Sequence, residues 1–324
     1  MNIPPFTPDE FTGPIAVITG GWSQERDRSL LSGRTVNDAL TGMGIKTAVI
    51  DLDGPRDALL SGLGHVESAF LAIAGRGAED GGLQGLLETL GIPYTGSGVL
   101  ASALGMHKLR AKEVVSEAAV LVPRSDRVNV GASPELEAER LEARLGLPLI
   151  LKPIAEGGSI GLQVATSAES LISAIAGAGG NLLMAERFRT GRSVSVGVLE
   201  DVDGTVHALP ALEAQTPNGI YSYAAKRGNA DCDYHCPARL SDTTADELRR
   251  QALAAHRVLG CVSHSRHDFI VSDDGRAWWL EVNTLPGLSR SGNLARMAQA
   301  DGLTYEQLIL HILRGARVDR RAHV

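Results

Sequence analysis

Apolar residues arrive along this chain in three rhythms. Near the N-terminus they form short runs, "PIAVITGG" (14–21), "KTAVIDLD" (46–53) and "SAFLAIAG" (68–75), two of them closing on glycine. Runs of this length, rich in β-branched residues and bounded by turn residues, predict buried strands. Helical patterns fall between or after them: Ser23 offers an N-cap for a helix running towards Leu40, and "LQGLLETLG" (83–91) supplies another. The first hundred residues therefore predict an α/β unit with a parallel sheet. No GxGxxG follows the first strand, so a dinucleotide fold is not indicated.

The second rhythm is helical and charged. "HKLRAKEVVSEA" (107–118) predicts one helix, and "SPELEAERLEARLG" (133–146) another, with Ser133 as N-cap, Pro134 in first position and Gly146 as the stop. "LPLILKPIAEGGSIGLQVATS" (147–167) then predicts two strands joined by a Gly-rich loop. From about residue 190 strands such as "SVSVGVLE" and "HALPALEA" alternate with a long helix, "TADELRRQALAAHRVLG", and a final helix near 304–314. The changes of character divide the chain into three expected domains, 14–103, 104–190 and 191–316.

Candidate chemistry concentrates in "RHDFIVSDDGRAWWLEVN" (266–283). Asp274-Gly275 is a preferred dipeptide for a two-residue type I′ hairpin turn. Registering the strands about it pairs Asp273 with Arg276, Val271 with Trp278 and Phe269 with Leu280, hence Asp268 with Glu281 and Arg266 with Asn283. Facing carboxylates repel and call for positive charge between them. Oxygen donors from Asp268, Glu281 and Asn283 suit Mg²⁺; an exposed acidic edge neutralised by Arg266 is the alternative. In "KPIAEGGSIG" Lys152 ends an apolar strand, and Gly157, Gly158 and Gly161 with Ser159 would let backbone N–H groups approach phosphate oxygens. An ordinary hairpin turn also fits that loop, but beside a candidate Mg²⁺ site it points to a nucleotide.

Composition narrows the classes. With 324 residues, 44% hydrophobic and 21% charged, the chain suits a globular protein of two or three domains. A net charge of −7 argues against nucleic-acid binding. Arg314, Arg317, Arg320 and Arg321 crowd the C-terminus and are read as a solvated tail. No apolar run approaches the ~20 residues of a membrane span, and the N-terminus lacks a signal-peptide pattern. A cytoplasmic protein is expected, and three cysteines, an odd number, suit a reducing compartment. "CDYHC" (232–236) offers three local ligands where a structural zinc wants four, so a structural or surface role is expected for it and for His107, His264 and His267.

"GRGAEDGGLQGLLETLGIPYTGSGVLASALGMHKLRAK", "LPLILKPIAEGGSIG", "YSYAAKRGNADCDYHCPA" and "LEVNTLPGL", in this order, resemble the D-alanine–D-alanine ligases of the ATP-grasp superfamily, from about residue 14 to 314. The resemblance implies a three-domain ATP-grasp fold with an N-terminal parallel-sheet domain, an ATP- and Mg²⁺-dependent (one or two ions, or Mn²⁺) ligation of amino-acid substrates, and a homodimer. It matches Lys108 and Lys152 to phosphate-binding lysines, Glu186 to the residue reading the adenine end, and Lys226 to a further ATP contact. Asp268, Glu281 and Asn283 match the metal ligands, Arg266 the arginine stabilising the acyl phosphate and tetrahedral intermediate, and Gly287 a backbone contact beside it. Glu25 matches the acid receiving the first substrate's ammonium group.

Departures from the family gather at the substrate end. Gly158 then Ser159 stand where two serines are usual, and Arg227 stands where a tyrosine usually follows the loop lysine, so an ion pair of Glu25 with Arg227 would replace the usual hydrogen-bonded latch. Ala74 replaces a histidine, and Ser193 a glutamate near the ribose. The serine expected to bind the second carboxylate aligns with Gly292, with Ser291 as a neighbouring substitute and Arg290 as an added cation. Three functions follow as expectations: a D-alanine–D-alanine ligase, a ligase of the same family with a different acceptor, or a catalytically silent nucleotide-binding protein.

Overall fold

The structure, a computed structural model, describes every residue except 1–2, 8–9, 156–160, 180–181, 217–231 and 319–324. Strands β1 (Ile15–Thr19), β2 (Thr47–Asp51) and β3 (Ser68–Leu71) form a parallel sheet in the order β2-β1-β3. Helices α1 (Arg26–Gly42), α2 (Arg56–Leu63) and α3 (Gly82–Leu90) accompany it. α1 starts later than expected: Glu25, not Ser23, occupies the N-cap position, and Ser23 Oγ accepts the Glu25 N–H at 3.2 Å. Gly20 and Gly21 both take positive φ, and this turn carries the chain two residues further before the helix begins.

Helices α4 (Val99–Met106) and α5 (Lys108–Glu117) follow, with His107 capping α5 by accepting the Arg110 N–H. Strand β4 (Ser125–Arg127), α6 (Pro134–Leu145), β5 (Leu149–Pro153), β6 (Gln163–Ala165), α7 (Ala168–Ala176) and β7 (Leu183–Arg187) build a four-stranded sheet in the order β4-β7-β5-β6. α6 has the expected Ser133 cap, Pro134 start and Gly146 end. Leu141, Leu149, Leu151, Leu171 and Ala185 form its core.

The third sheet comprises β8 (Arg192–Glu200), β9 (Val206–Ala208), β10 (Leu212–Gln215), β11 (Asp233–His235), β12 (His264–Val271) and β13 (Ala277–Asn283), with helices α8 (Asp242–Val258), α9 (Asn293–Ala300) and α10 (Tyr305–Arg314). Its order is β11-β10-β8-β12-β13, with β9 also pairing β8. Val194, Val196, Val198, Phe269 and Trp279 pack against Leu248, Ala252 and Ala255 of α8 and Ala111 and Val115 of α5. On the other face Leu199, Leu209 and Leu212 share a core with α9, α10, α1 and the first sheet.

Two expectations fail here. Arg314 binds the Glu10 carboxylate and the Pro4 carbonyl, and Arg317 bonds to Glu200 at 2.9 Å while bridging Tyr94, so these arginines are not a solvated tail. Arg320 and Arg321 lie outside the described residues. The hairpin turn is also longer than two residues: Ser272 N–H bonds to Arg276 C=O, and Val271 pairs with Ala277 and Phe269 with Trp279. Gly275, at φ 80°, ends the turn, the pattern of a three-residue loop with glycine in the left-handed region.

Helix α1 presses closely on β1. A Cβ on Gly33 would lie 2.4 Å from Thr19 Oγ1, and that hydroxyl already donates to the Ser29 carbonyl at 2.6 Å. Gly33→Ala is therefore expected to lower stability by about 1–3 kcal/mol through overpacking. Gly42→Ala, where an added Cβ meets nothing within 4 Å, should be neutral or mildly stabilising. Denaturant midpoints of the two variants check this, and equal midpoints would refute the close contact.

Candidate active site

Trp279 and Glu281 stand two residues apart on β13, yet Trp279 is fully buried beside Phe269 and His267 while Glu281 faces the opposite side with Asp268. A register shift between Asp268 and Phe269 makes this possible, because it inserts Leu280 without a partner. Below the shift the register is one residue off the expected one. Beyond it, Arg266 pairs with Asn283 and Asp268 with Glu281, as the sequence register expects. The extra residue that the turn takes from β12 and the extra residue at Leu280 on β13 cancel.

Asp268 is the most heavily bonded group of the site. Its Oδ1 accepts from Ser195 Oγ at 2.7 Å and Arg266 Nε at 2.8 Å, and its Oδ2 from Arg266 Nη2 at 2.9 Å and Asn283 Nδ2 at 3.2 Å. Glu281 pairs with Lys108 Nζ at 3.5 Å, and the Lys108 N–H is tied to the Ile154 carbonyl at 3.1 Å. Two carboxylates and an amide here form an oxygen-rich set. A half-turn of the Asn283 amide would bring its oxygen to the same side, so the donors suit a hard divalent cation.

The lysine end also carries Lys112, a residue with no role expected from the sequence. Glu186 is buried between Lys152 Nζ, at 3.0 Å, and Lys112 Nζ, at 2.8 Å. Burial alone would raise the Glu186 carboxyl, but the two ammonium groups hold it below its ordinary value. Burial pulls Lys112 down to about 8, against the attraction of Glu186. Lys112 also donates to the Trp279 carbonyl at 3.2 Å. Lys112 follows Lys108 by one helical turn and shares its face, but that spacing alone does not single it out without its distant partner Glu186.

Two adjoining clefts meet at Asn283 and Glu79, which line both. The first is lined among others by Glu25, Arg28, Ala74, Arg266 and Gly287; the second by Lys108 and Glu281. Glu79, from the "AGRGAEDG" stretch, went unassigned in the sequence. Its carboxylate accepts the N–H of Gly75 at 2.6 Å and of Leu285 at 3.4 Å, stitching the first sheet's loop to the loop after β13. Glu25 has a cationic partner in Arg28, at 3.1 Å.

Ser159, Lys226 and Arg227 lie outside the described residues, and with them the expected pair of Glu25 with Arg227. Ser291 and Gly292 do not line the first cleft. Leu288 is held to α1 by Ser32 Oγ, which accepts its N–H, and Thr35 Oγ1, which donates to its carbonyl, and the chain then turns outward. Gly292 becomes the N-cap of α9, the Ser291 carbonyl accepts from Arg296, and Arg290 is engaged by Glu306 and stacked on Tyr305.

Glu79 makes the site pH-sensitive. Burial, and then repulsion from Glu25, pushes its carboxyl up to about 7. Between its unfolded value of 4.5 and about 7 the folded protein holds a proton that the unfolded chain has released, so stability falls as pH rises through that window. Glu79→Gln, which mimics the protonated acid, is expected to remove this loss, on the order of 3 kcal/mol between pH 5 and pH 8. Unfolding midpoints at both pH values measure it, and identical pH dependence in the two proteins would contradict the assignment.

Residues 99–314 match the family model for the D-ala D-ala ligase C-terminus. A D-alanine–D-alanine ligase of Alkalilimnicola ehrlichii is 40% identical over 94% of this chain and 95% of its own length. Among solved structures, the D-alanine–D-alanine ligase of Bacillus anthracis complexed with ATP superposes with a TM-score of 0.79 at 25% identity, covering 94% of this chain and 97% of that one. The VanG D-Ala:D-Ser ligase of Enterococcus faecalis gives 0.80 at 26%, over 93% and 98%. Fold and sequence thus agree over almost the entire length, and the chain belongs to the D-alanine–D-alanine ligase family, with the ATP-grasp fold.

Proposed function

We propose that this protein is an ATP-dependent carboxylate–amine ligase of the D-alanine–D-alanine type. The carrying observation is that two clefts meet at Asn283 and Glu79, one lined by Glu25 and Arg266 and the other by Lys108 and Glu281, with Asp268 paired to Glu281 across the strands. A carboxylate is a poor acyl donor, so its oxygen first attacks the γ-phosphorus of ATP, forming an acyl phosphate and releasing ADP. The amine of the second substrate then attacks the acyl carbon, loses a proton, and inorganic phosphate departs as the amide forms.

Each residue has a task in that sequence. Glu25 receives the first substrate's ammonium group. Lys108 and Lys152 bind nucleotide phosphates, Glu186 holds Lys152 in place from the adenine side, and Lys226 and Ser159 complete the nucleotide contacts. Asp268, Glu281 and Asn283 would hold Mg²⁺, which would supply positive charge to the phosphoryl group. Arg266 and the Gly287 backbone stabilise the oxyanion of the second step. Ser291, Gly292 and Arg227 belong to the acceptor side. The division at 14–103, 104–190 and 191–316 and a cytoplasmic location are parts of this proposal that rest on the sequence pattern, and a homodimer is a part that rests on the family resemblance. Among the described residues no helix is long and apolar enough to cross a membrane.

One observation favours a relative with a different substrate: a second cation, Arg28, sits in the cleft beside Glu25.

Phosphate release with ATP, Mg²⁺ and a panel of D- and L-amino acids tests the proposal. Turnover with D-alanine alone marks a D-alanine–D-alanine ligase, and turnover only with another pair marks a relative with a changed substrate. ATP binding with no turnover anywhere marks a silent protein and refutes the proposal. Glu281→Gln is expected to cut phosphate release at least a hundredfold, roughly 3 kcal/mol of barrier, with an unchanged unfolding midpoint. Full turnover in that variant would sink the metal assignment.

A further inference from the structure

An amino acid bound as a zwitterion presents one cation and one anion, and the first cleft holds more charge than that requires. Glu25 answers the ammonium group and Arg266 stands at the reacting carboxylate. Arg28 is left over. It lies three residues after Glu25, one turn along the same face of α1, and its Nη1 binds Glu25 Oε1 at 3.1 Å. Its side chain keeps 32% exposure and lines the same cleft as Arg266 and Gly287. A Cβ on Gly287 would stand 3.5 Å from Arg28 Nη2, so the missing side chain there leaves space beside the guanidinium.

A substrate offering only an ammonium group must compete with Arg28 for Glu25. A substrate carrying an ammonium and a second carboxylate satisfies both members of the pair, because the guanidinium fork can take a carboxylate through two parallel N–H groups. Among the described residues of the cleft, Glu25 is the carboxylate bonded to Arg28, since Asp268 occupies Arg266 and Glu79 is bonded to the backbone of Gly75 and Leu285.

We infer that Arg28 selects an acidic side chain on the amino acid whose ammonium group Glu25 receives, so that the activated substrate is of the aspartate or glutamate class. The inference rests on the ligase reading above.

Trapping the acyl phosphate with hydroxylamine isolates activation of the first substrate from the choice of acceptor. With the full chain, ATP and Mg²⁺, hydroxamate formation from aspartate or glutamate of one hand should exceed that from D-alanine at least tenfold in kcat/KM. Arg28→Met should lower the acid-over-alanine ratio at least fiftyfold, chiefly through KM, and Arg28→Lys should restore part of it. Arg28 lies on the partly exposed first turn of α1, and unfolding midpoints confirm that the variants fold. A wild-type preference for D-alanine, or an Arg28→Met variant that lowers both substrates in equal proportion, overturns the inference while leaving the ligase reading intact. Hydroxamate from no amino acid overturns both.

Discussion

A regular pleat would turn Trp279 and Glu281 to the same face of β13, and the two side chains want opposite environments. Losing a buried tryptophan from a core costs about 3–5 kcal/mol, and burying a charged carboxylate among apolar side chains costs more unless it is paired. One unpaired residue in the ladder forfeits a hydrogen bond or so, about 1 kcal/mol net. The bulge at Leu280 is therefore the cheaper arrangement: it leaves Trp279 bonded to His267 in the core and sets Glu281 opposite Asp268. The site face of β12 and β13 exists because of that one inserted residue.

Charge is distributed unevenly over the surface so created. Arg266 and Lys108 balance Asp268 and Glu281, so the pair of carboxylates stands neutralised within the protein itself. Lys112, Lys152 and Glu186 together leave one positive charge over, in a buried place where a lone ammonium group would be costly. Phosphate oxygens suit that surplus. The first cleft, by contrast, holds two carboxylates, Glu25 and Glu79, beside Arg28, and burial, then repulsion from Glu25, pushes the Glu79 carboxyl up to about 7.

Much of this was legible in the sequence, for reasons that differ from residue to residue. The parallel β1-β2-β3 sheet and the caps of α6 are written in local patterns, short apolar runs and a Ser-Pro start before a Gly stop, and local physics decides them. The pairing of Asp268 with Glu281 was reached through a turn that is one residue longer than assumed, and it survived because Leu280 restores the count. No local rule reveals that bulge, since it is set by what Trp279 packs against. Lys112, Glu79 and Arg28 escaped for a related reason. Each acquires meaning only from a partner distant in the chain or from the cleft it lines, as Lys112 does from Glu186 and Glu79 from Leu285. The arginines at 314 and 317 looked like a tail because Glu10 and Glu200 are far away in sequence.

The same long-range bonds couple the two ends of the site. Ser32 and Thr35 of α1 hold both backbone groups of Leu288, and Glu79 accepts the Leu285 N–H, so the loop leaving β13 is fastened at two points to the first sheet and its helix. Asn283 lies at the β13 end of that loop and Gly287 within it. Glu25 and Arg28 lie on the helix to which it is fastened. The separation between the group that would hold an ammonium ion and the oxygens that would hold a metal is thus set by hydrogen bonds from the short Ser32 and Thr35 side chains and the buried Glu79 to the backbone of that loop. For a reaction in which a carboxylate must meet a phosphoryl group and then an amine in line, rigidity of this kind carries a large share of the work, because misplacement by about 1 Å can cost on the order of a hundredfold in rate. A side chain such as Arg28, which lines the cleft from α1 and takes no part in these bonds, can change without disturbing that frame.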